Sequence, residues 1–252
     1  MGILIQEVVG TQIGDYFFPA FAGVAFSNNE FRWSPRIKRE DGLIRMVPGL
    51  GTRAVDRLSD DYPILIAPGQ PGLRANVGIE DITRYSPQKI DVINLKTSSF
   101  ESILLNDLIR KYGDEIPKIE KYVSILKDNH LTKPMGFDTD YSEADVIFTF
   151  EGLVNNTNFV KQVHAILNTL QNALGTPVDI EFASDGNDFY LLQCRPQSYS
   201  KYDAPSPIPE NIPEEQLIFS ADKYISNGSV PDISFIVYVD PEEYSKVSDL
   251  NE

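Results

Sequence analysis

Apolar and polar positions alternate with a period of two in several short runs and recur at helical spacing in a few longer ones. Residues 3–9 read as a buried strand, apolar and β-branched apart from Gln6 and Glu7. Residues 10–21 read as a Gly/aromatic connection, and residues 23–27 as a second strand. Further strands are predicted over 31–33, 43–47, 62–67, 90–95 and 146–150, punctuated by turn signals such as Asn28-Asn29 and Glu40-Asp41-Gly42. Helical spacing predicts amphipathic helices over 100–112, with Ser98 or Ser99 as the cap, and over 116–126. A third is predicted over 158–174, where Phe159, Val163, Ile166, Leu167 and Leu170 form the stripe and Gly175 with Pro177 stops the helix.

The densest pattern comes next. Two alternating runs, residues 178–182 and 192–196, flank a Gly186-Asn187-Asp188 turn and predict an antiparallel hairpin. With Asn187 at the tip, Asp179 lies opposite Arg195 and Glu181 opposite Gln193. All four then share one face, while Val178, Ile180, Phe182, Leu192 and Cys194 share the other. Two readings of the polar face stand side by side. One is a solvated sheet face with an Asp–Arg cross-strand pair, worth well under ~1 kcal/mol. The other is a ligand wall, with Glu181 and Gln193 offering oxygens to a hard cation such as Mg²⁺ and Arg195 holding a phosphate in its planar fork.

Other candidates carry less. The run Gly49-Leu50-Gly51-Thr52-Arg53 matches neither common phosphate-loop pattern, and a plain turn before a short helix is its simpler reading. His130 and His164 have no zinc-site spacing, so His130 reads as a loop or helix-end residue and His164, inside a helix, as a surface or boundary residue. Cys194 is the sole cysteine, a small core residue in the hairpin register, and it fits a reducing, cytoplasmic setting. The net charge is −15 and no basic patch stands out, which argues against nucleic-acid or anionic-membrane binding. No apolar run approaches the roughly 20 residues of a membrane span. From residue 203 the chain turns Pro-rich. The organisation expected is a domain over 1–200, a linker over 201–215, and over 216–252 the start of a following module or a docked tail. Strands are expected over 216–219 and 234–239, and a short helix from Pro241.

The hairpin resembles the end of the ATP-grasp domain of phosphoenolpyruvate synthases and pyruvate phosphate dikinases. That family carries G-x-P-x-D-I-E-W-A and then Q-x-R-P; here the runs are GTPVDIEFA from Gly175 and LLQCRP from Leu191. Upstream and in order, Ile5-Gln6-Glu7-Val8-Val9 resembles the V-Q-x-M-V hinge strand, Ala22 to Ser27 resembles S-G-V-A-F-[ST], and Gly49-Leu50-Gly51 resembles a G-L-G loop. Residues 59–145 match poorly and read as an insertion.

The resemblance implies an α+β fold: the second lobe of an ATP-grasp domain, mainly antiparallel sheet with packed helices, followed by a linker. It implies Mg²⁺ and ATP as ligands. Gln6, Glu7 and Val8 would border the adenine, Asp179 and Glu181 would face the nucleotide, and Glu181, Gln193 and Asp179 would supply the metal oxygens. Arg195 would contact the phosphates as the catalytic cation. The family reaction passes a phosphoryl group from ATP to a histidine on a swivelling domain and then to pyruvate. The first ATP-grasp lobe, the phosphohistidine domain and the pyruvate-binding domain have no counterpart in this sequence, so the chain reads as a fragment that binds ATP weakly or not at all by itself. Phe182 stands where the family has Trp, Val8 where it has Met, and Thr52-Arg53 where an acidic residue is common. These departures keep two alternatives open: a non-catalytic regulatory or docking module, and a dikinase for another acceptor such as a glucan or an antibiotic.

Overall fold

The computed structural model describes residues 5–55, 61–134, 139–197, 212–217, 225–226, 233–235 and 237–239. The chain divides into two compact units, Met1–Ser198 with Phe219–Ser226, and Tyr199–Ile218 with Asn227–Glu252.

The first unit runs β1 (Thr11–Ile13), β2 (Tyr16–Phe18), β3 (Phe21–Phe26), β4 (Phe31–Arg32), β5 (Leu43–Val47), α1 (Thr52–Val55), β6 (Ile64–Ile66), α2 (Ile79–Arg84), β7 (Lys89–Asn94), β8 (Ser99–Leu104), α3 (Leu105–Tyr112), β9 (Val123–Lys127), β10 (His130–Thr132), β11 (Val146–Phe148), α4 (Glu151–Asn156), α5 (Phe159–Leu174), β12 (Val178–Ser184), β13 (Phe189–Pro196) and β14 (Ile225–Ser226). Its central sheet has the order β13-β12-β3-β5-β6 and is antiparallel throughout. A four-stranded sheet, β1-β2-β7-β8, and a three-stranded one, β10-β9-β11, stand beside it, and β14 pairs with β4. The architecture is the expected α+β one.

Burial explains the placement of the elements. Val178, Ile180 and Phe182 of β12 are almost fully buried, and α5 buries Phe159, Val160, Val163 and Leu167 in the same core. Phe21 joins the layers, with its ring edge-on to those of Tyr122, Phe150, Phe159 and Phe182. The helix predicted over 158–174 forms from Phe159 to Leu174, and Gly175 ends it in the left-handed region at φ 66°.

Several expectations fail for identifiable reasons. The helix predicted over 100–112 is a strand, β8, followed by a shorter helix, α3. Ser98 sits at φ 53° in the β7–β8 turn, and Ser99 begins the strand rather than capping a helix. Leu105, Leu108 and Ile109 alone keep the helical stripe, while Phe100 and Leu104 face outward from a six-residue pairing with β7. The helix predicted over 116–126 is a 3-10 turn, Ile119–Lys121, and then β9. Lys118 there takes φ 57° and breaks any continuous helix, and β9 is central to its sheet. The 10–21 connection contains the β1–β2 hairpin, and α2 and α4 escaped the pattern altogether. His130 opens β10 after a turn in which Asp128 and Asn129 both have positive φ. It is therefore neither in an open loop nor at a helix end. Residues 5–10 form no strand, and Ile5 is exposed. Apolar composition alone does not make a strand where no edge is paired.

In the second unit, Glu214–Gln216 is a 3-10 turn, and the described residues of 233–239 carry no strand. The helix expected from Pro241 lies outside the described residues.

One buried polar node fixes the loop after β5. Arg53, Asp61 and Asp91 are each nine-tenths buried or more. Arg53 donates through Nε to Asp91 Oδ1 at 2.9 Å, through one terminal nitrogen to Asp61 Oδ2 at 3.2 Å, and through the other to Ser102 Oγ at 2.6 Å. Asp61 also accepts the backbone N–H groups of Gln88 and Lys89. Arg53→Leu would leave two buried carboxylates without their cation, at a cost of about 3–5 kcal/mol. Urea unfolding should show that loss, and a change below ~1 kcal/mol would refute the assignment.

Candidate functional site

The hairpin supplies one side of a cleft of about 480 Å³. Its register is the one read from sequence at the decisive positions: Asp179 opposite Arg195, Ile180 opposite Cys194, and Glu181 opposite Gln193. Beyond Glu181 the pairing shifts, so that Phe182 faces Leu191 and Leu192 is the extra residue of a bulge. Leu192 was expected in the core; the bulge instead turns it to line the cleft. Cys194 keeps its place, half-buried against the core, and burial foremost, then the Asp179 charge, raises its thiol pKa.

β3 and β12 form the floor through Ala22, Gly23, Val24, Glu181, Phe182 and Ala183. Gly23 is required there, because a Cβ would collide with the Arg45 carbonyl oxygen on β5 and with the Phe182 ring. Leu50, Gly51, Thr52 and Val55 make a second wall. Asp91 holds that wall: its backbone oxygen accepts the Leu50 N–H at 3.0 Å, and its carboxylate accepts the Thr52 hydroxyl at 2.5 Å. Gly49 lies at φ 69°, where a side chain would run into Ile90. The loop is thus a built wall and more than a turn. Sequence reasoning undervalued it, because its anchor comes from a strand some forty residues away.

Residues 6–9 make the third side. Gln6 donates through Nε2 to the Leu192 carbonyl at 3.1 Å, which ties this segment to the bulge of β13.

The predicted residues therefore divide. Gln6, Glu7, Val8 and Glu181 line the cleft. Asp179, Gln193 and Arg195 continue the same face of the ribbon beside it. Asp179 is buried, and its Oδ1 accepts the Arg195 Nε at 2.7 Å. The Arg195 side chain is 54% exposed. The pair therefore contributes well under ~1 kcal/mol, and its effect is orientation. The hydrogen bond to Asp179 and the Asp179 charge raise the Arg195 pKa, with a smaller push from Glu181. The outer nitrogens of the guanidinium make no hydrogen bond among the described residues. Glu181 and Gln193 likewise have no hydrogen-bond partner among the described residues. His130 and His164 lie outside the cleft. Among the described residues, no group of three or more His, Cys, Asp and Glu side chains makes a ready-made metal site.

The sequence profile described as pyruvate phosphate dikinase, AMP/ATP-binding domain, matches residues 1–216. The chain belongs to this family. Among curated proteins, none matches it. As a dikinase-family nucleotide-binding domain it takes ATP as its ligand class, and no helix among the described residues is long and apolar enough to cross a membrane.

The tip of the hairpin carries its own pH dependence. Burial would raise the Asp185 carboxyl pKa, but the N–H groups of Asp188 and Asn187 and the Tyr190 hydroxyl outweigh it and lower the value. A carboxyl depressed in the folded state stabilises above its unfolded value of about 3.9, and the stabilisation is lost as pH falls through the folded value. Asp185→Ala should therefore be less stable than the parent chain at neutral pH, and the gap should close in acid. Urea midpoints measured across the acid range check this; a gap independent of pH would contradict it.

Proposed function

We propose that this chain is the nucleotide-binding half of a phosphoenolpyruvate-synthase-like dikinase, which passes a phosphoryl group from Mg-ATP to a histidine on a separate domain and then to pyruvate. The carrying observation is the unspent Glu181 carboxylate on the cleft floor, with the Gln193 amide opposite it and Arg195 two pairs further along. The donor set suits a hard cation: oxygen ligands, one or two of them carboxylates, with phosphates and water completing the shell. Glu181 and Gln193 would hold Mg²⁺, with Asp179 beside them. Bound there, the ion would bridge and neutralise phosphate oxygens.

The protein's own residues do the positioning. Asp179 holds the inner edge of the Arg195 guanidinium, so its outer nitrogens present a fixed fork to a terminal phosphate. Gln6, Glu7 and Val8 border the base. Leu192 and Val24 add apolar contact inside the cleft. On this reading the phosphoryl acceptor lies on another domain, and the chain alone transfers no phosphoryl group.

In the full-length gene product, Mg-ATP should raise the melting temperature. Glu181→Ala and Arg195→Ala should each remove most of that rise, because each loses a charged contact worth roughly 2 kcal/mol. Equal ligand-induced shifts in the parent protein and both variants would overturn the assignment.

A further inference from the structure

A second cavity, of about 320 Å³, shares no residue with the first. It lies between two free sheet edges: β6 is the last strand of the five-stranded sheet, and β10 the last of the three-stranded one. Ile64, Leu65, Leu131 and Ile82 supply its apolar lining.

Its polar lining is unusual for a chain of net charge −15. Two cations, Arg74 and Lys133, face one carboxylate, Glu151. That carboxylate is already spent: it pairs with Arg74 and also accepts from the Asn155 amide. Lys133 has no ion-pair partner among the described residues, so the cavity keeps a net positive charge.

The floor carries a donor with nothing to give to. Ser124 Oγ and Thr149 Oγ1 lie 2.7 Å apart, and both residues are 5% exposed. A hydroxyl pair at this distance shares one of its two protons. The backbone N–H of Glu151 also points at Thr149 Oγ1, at 3.4 Å. Whichever hydroxyl donates to the other, the second proton finds no acceptor among the described residues. A buried donor left unmatched is costly, and a ligand oxygen would satisfy it.

We propose that this cavity binds a small amphipathic anion. Its carboxylate or phosphate oxygen would accept from the Ser124–Thr149 pair and face Lys133, and a short hydrocarbon part would lie on Ile64, Leu65, Ile82 and Leu131. The site is separate from the nucleotide cleft and does not depend on it.

The test is an amide-resonance titration of the full chain with hexanoate, hexyl phosphate and hexylammonium. Either anion should give saturable shifts at Ser124, Leu131, Lys133 and Thr149, and the cation should give none. Hexanoate alone would mark a carboxylate ligand, hexyl phosphate alone a phosphate ester; either supports the anion site. Lys133→Ala or Thr149→Val should weaken binding about fivefold, the effect of one lost polar contact. Lys133 is exposed, so its replacement leaves the fold intact even if Thr149→Val does not. The proposal is overturned if neither anion gives saturable shifts, if hexylammonium acts equally, or if both variants bind as the parent does.

Discussion

β12 is hydrogen-bonded on both sides, to β3 and to β13, and this double pairing is what the rest of the first unit depends on. A strand held on two edges cannot slip by one residue without turning every side chain to the wrong face. Val178, Ile180 and Phe182 are thereby committed to the core against α5, and Asp179 and Glu181 to the opposite face. The root is locked as well. Ser27 donates its N–H to the Val178 carbonyl, and its hydroxyl accepts the Val178 N–H, both at 2.9 Å. Gln197 exchanges two hydrogen bonds with the Asn28 backbone. The tip is held by Lys118, whose ammonium donates to the Gly186 carbonyl and the Asn187 side chain.

The opposite wall rests on a different kind of constraint. The glycine loop has too little regular structure to hold itself, since α1 is a single turn. Its position is imposed by Asp91, which takes its backbone, the Thr52 hydroxyl and the Arg53 guanidinium together. Where the family commonly has an acidic residue, this chain has a basic one, and that residue points into the protein to bridge two buried aspartates. The departure is thus accommodated by structure: the Arg53 guanidinium is held inside the protein and does not line the cleft. A fully desolvated arginine with two carboxylates adds little to stability compared with an apolar core of the same volume, yet removing one partner is severe. Such a node specifies where the loop sits more than it strengthens the fold.

The hairpin was legible in the sequence because the signals agreed: alternation, turn residues and cross-strand charge pairing all gave one register. Helix α5 was legible for the same reason, with a stripe, a glycine stop and a following proline. The bulge at Leu192 was not, since one extra residue in a strand leaves no mark on composition. Residues 100–112 and 116–126 misled because their apolar spacing fits a helix, while pairing of β8 with β7 and of β9 with β10 and β11 drew their first and last parts into sheets. The exposed 5–10 segment failed in the opposite sense, having strand composition but no paired edge.

The sequence by itself determined the family, the polar face of the ribbon and the pairing of Asp179 with Arg195 and Glu181 with Gln193, because these follow from a period-two pattern and a short turn. Only the tertiary structure decided which of those groups are spent and which are free. Arg195 is oriented by a buried Asp179, Glu181 is left unsatisfied on a cleft floor, and the G-L-G loop becomes a wall. Each of these depends on groups brought together from distant parts of the chain, and local spacing carries no information about them.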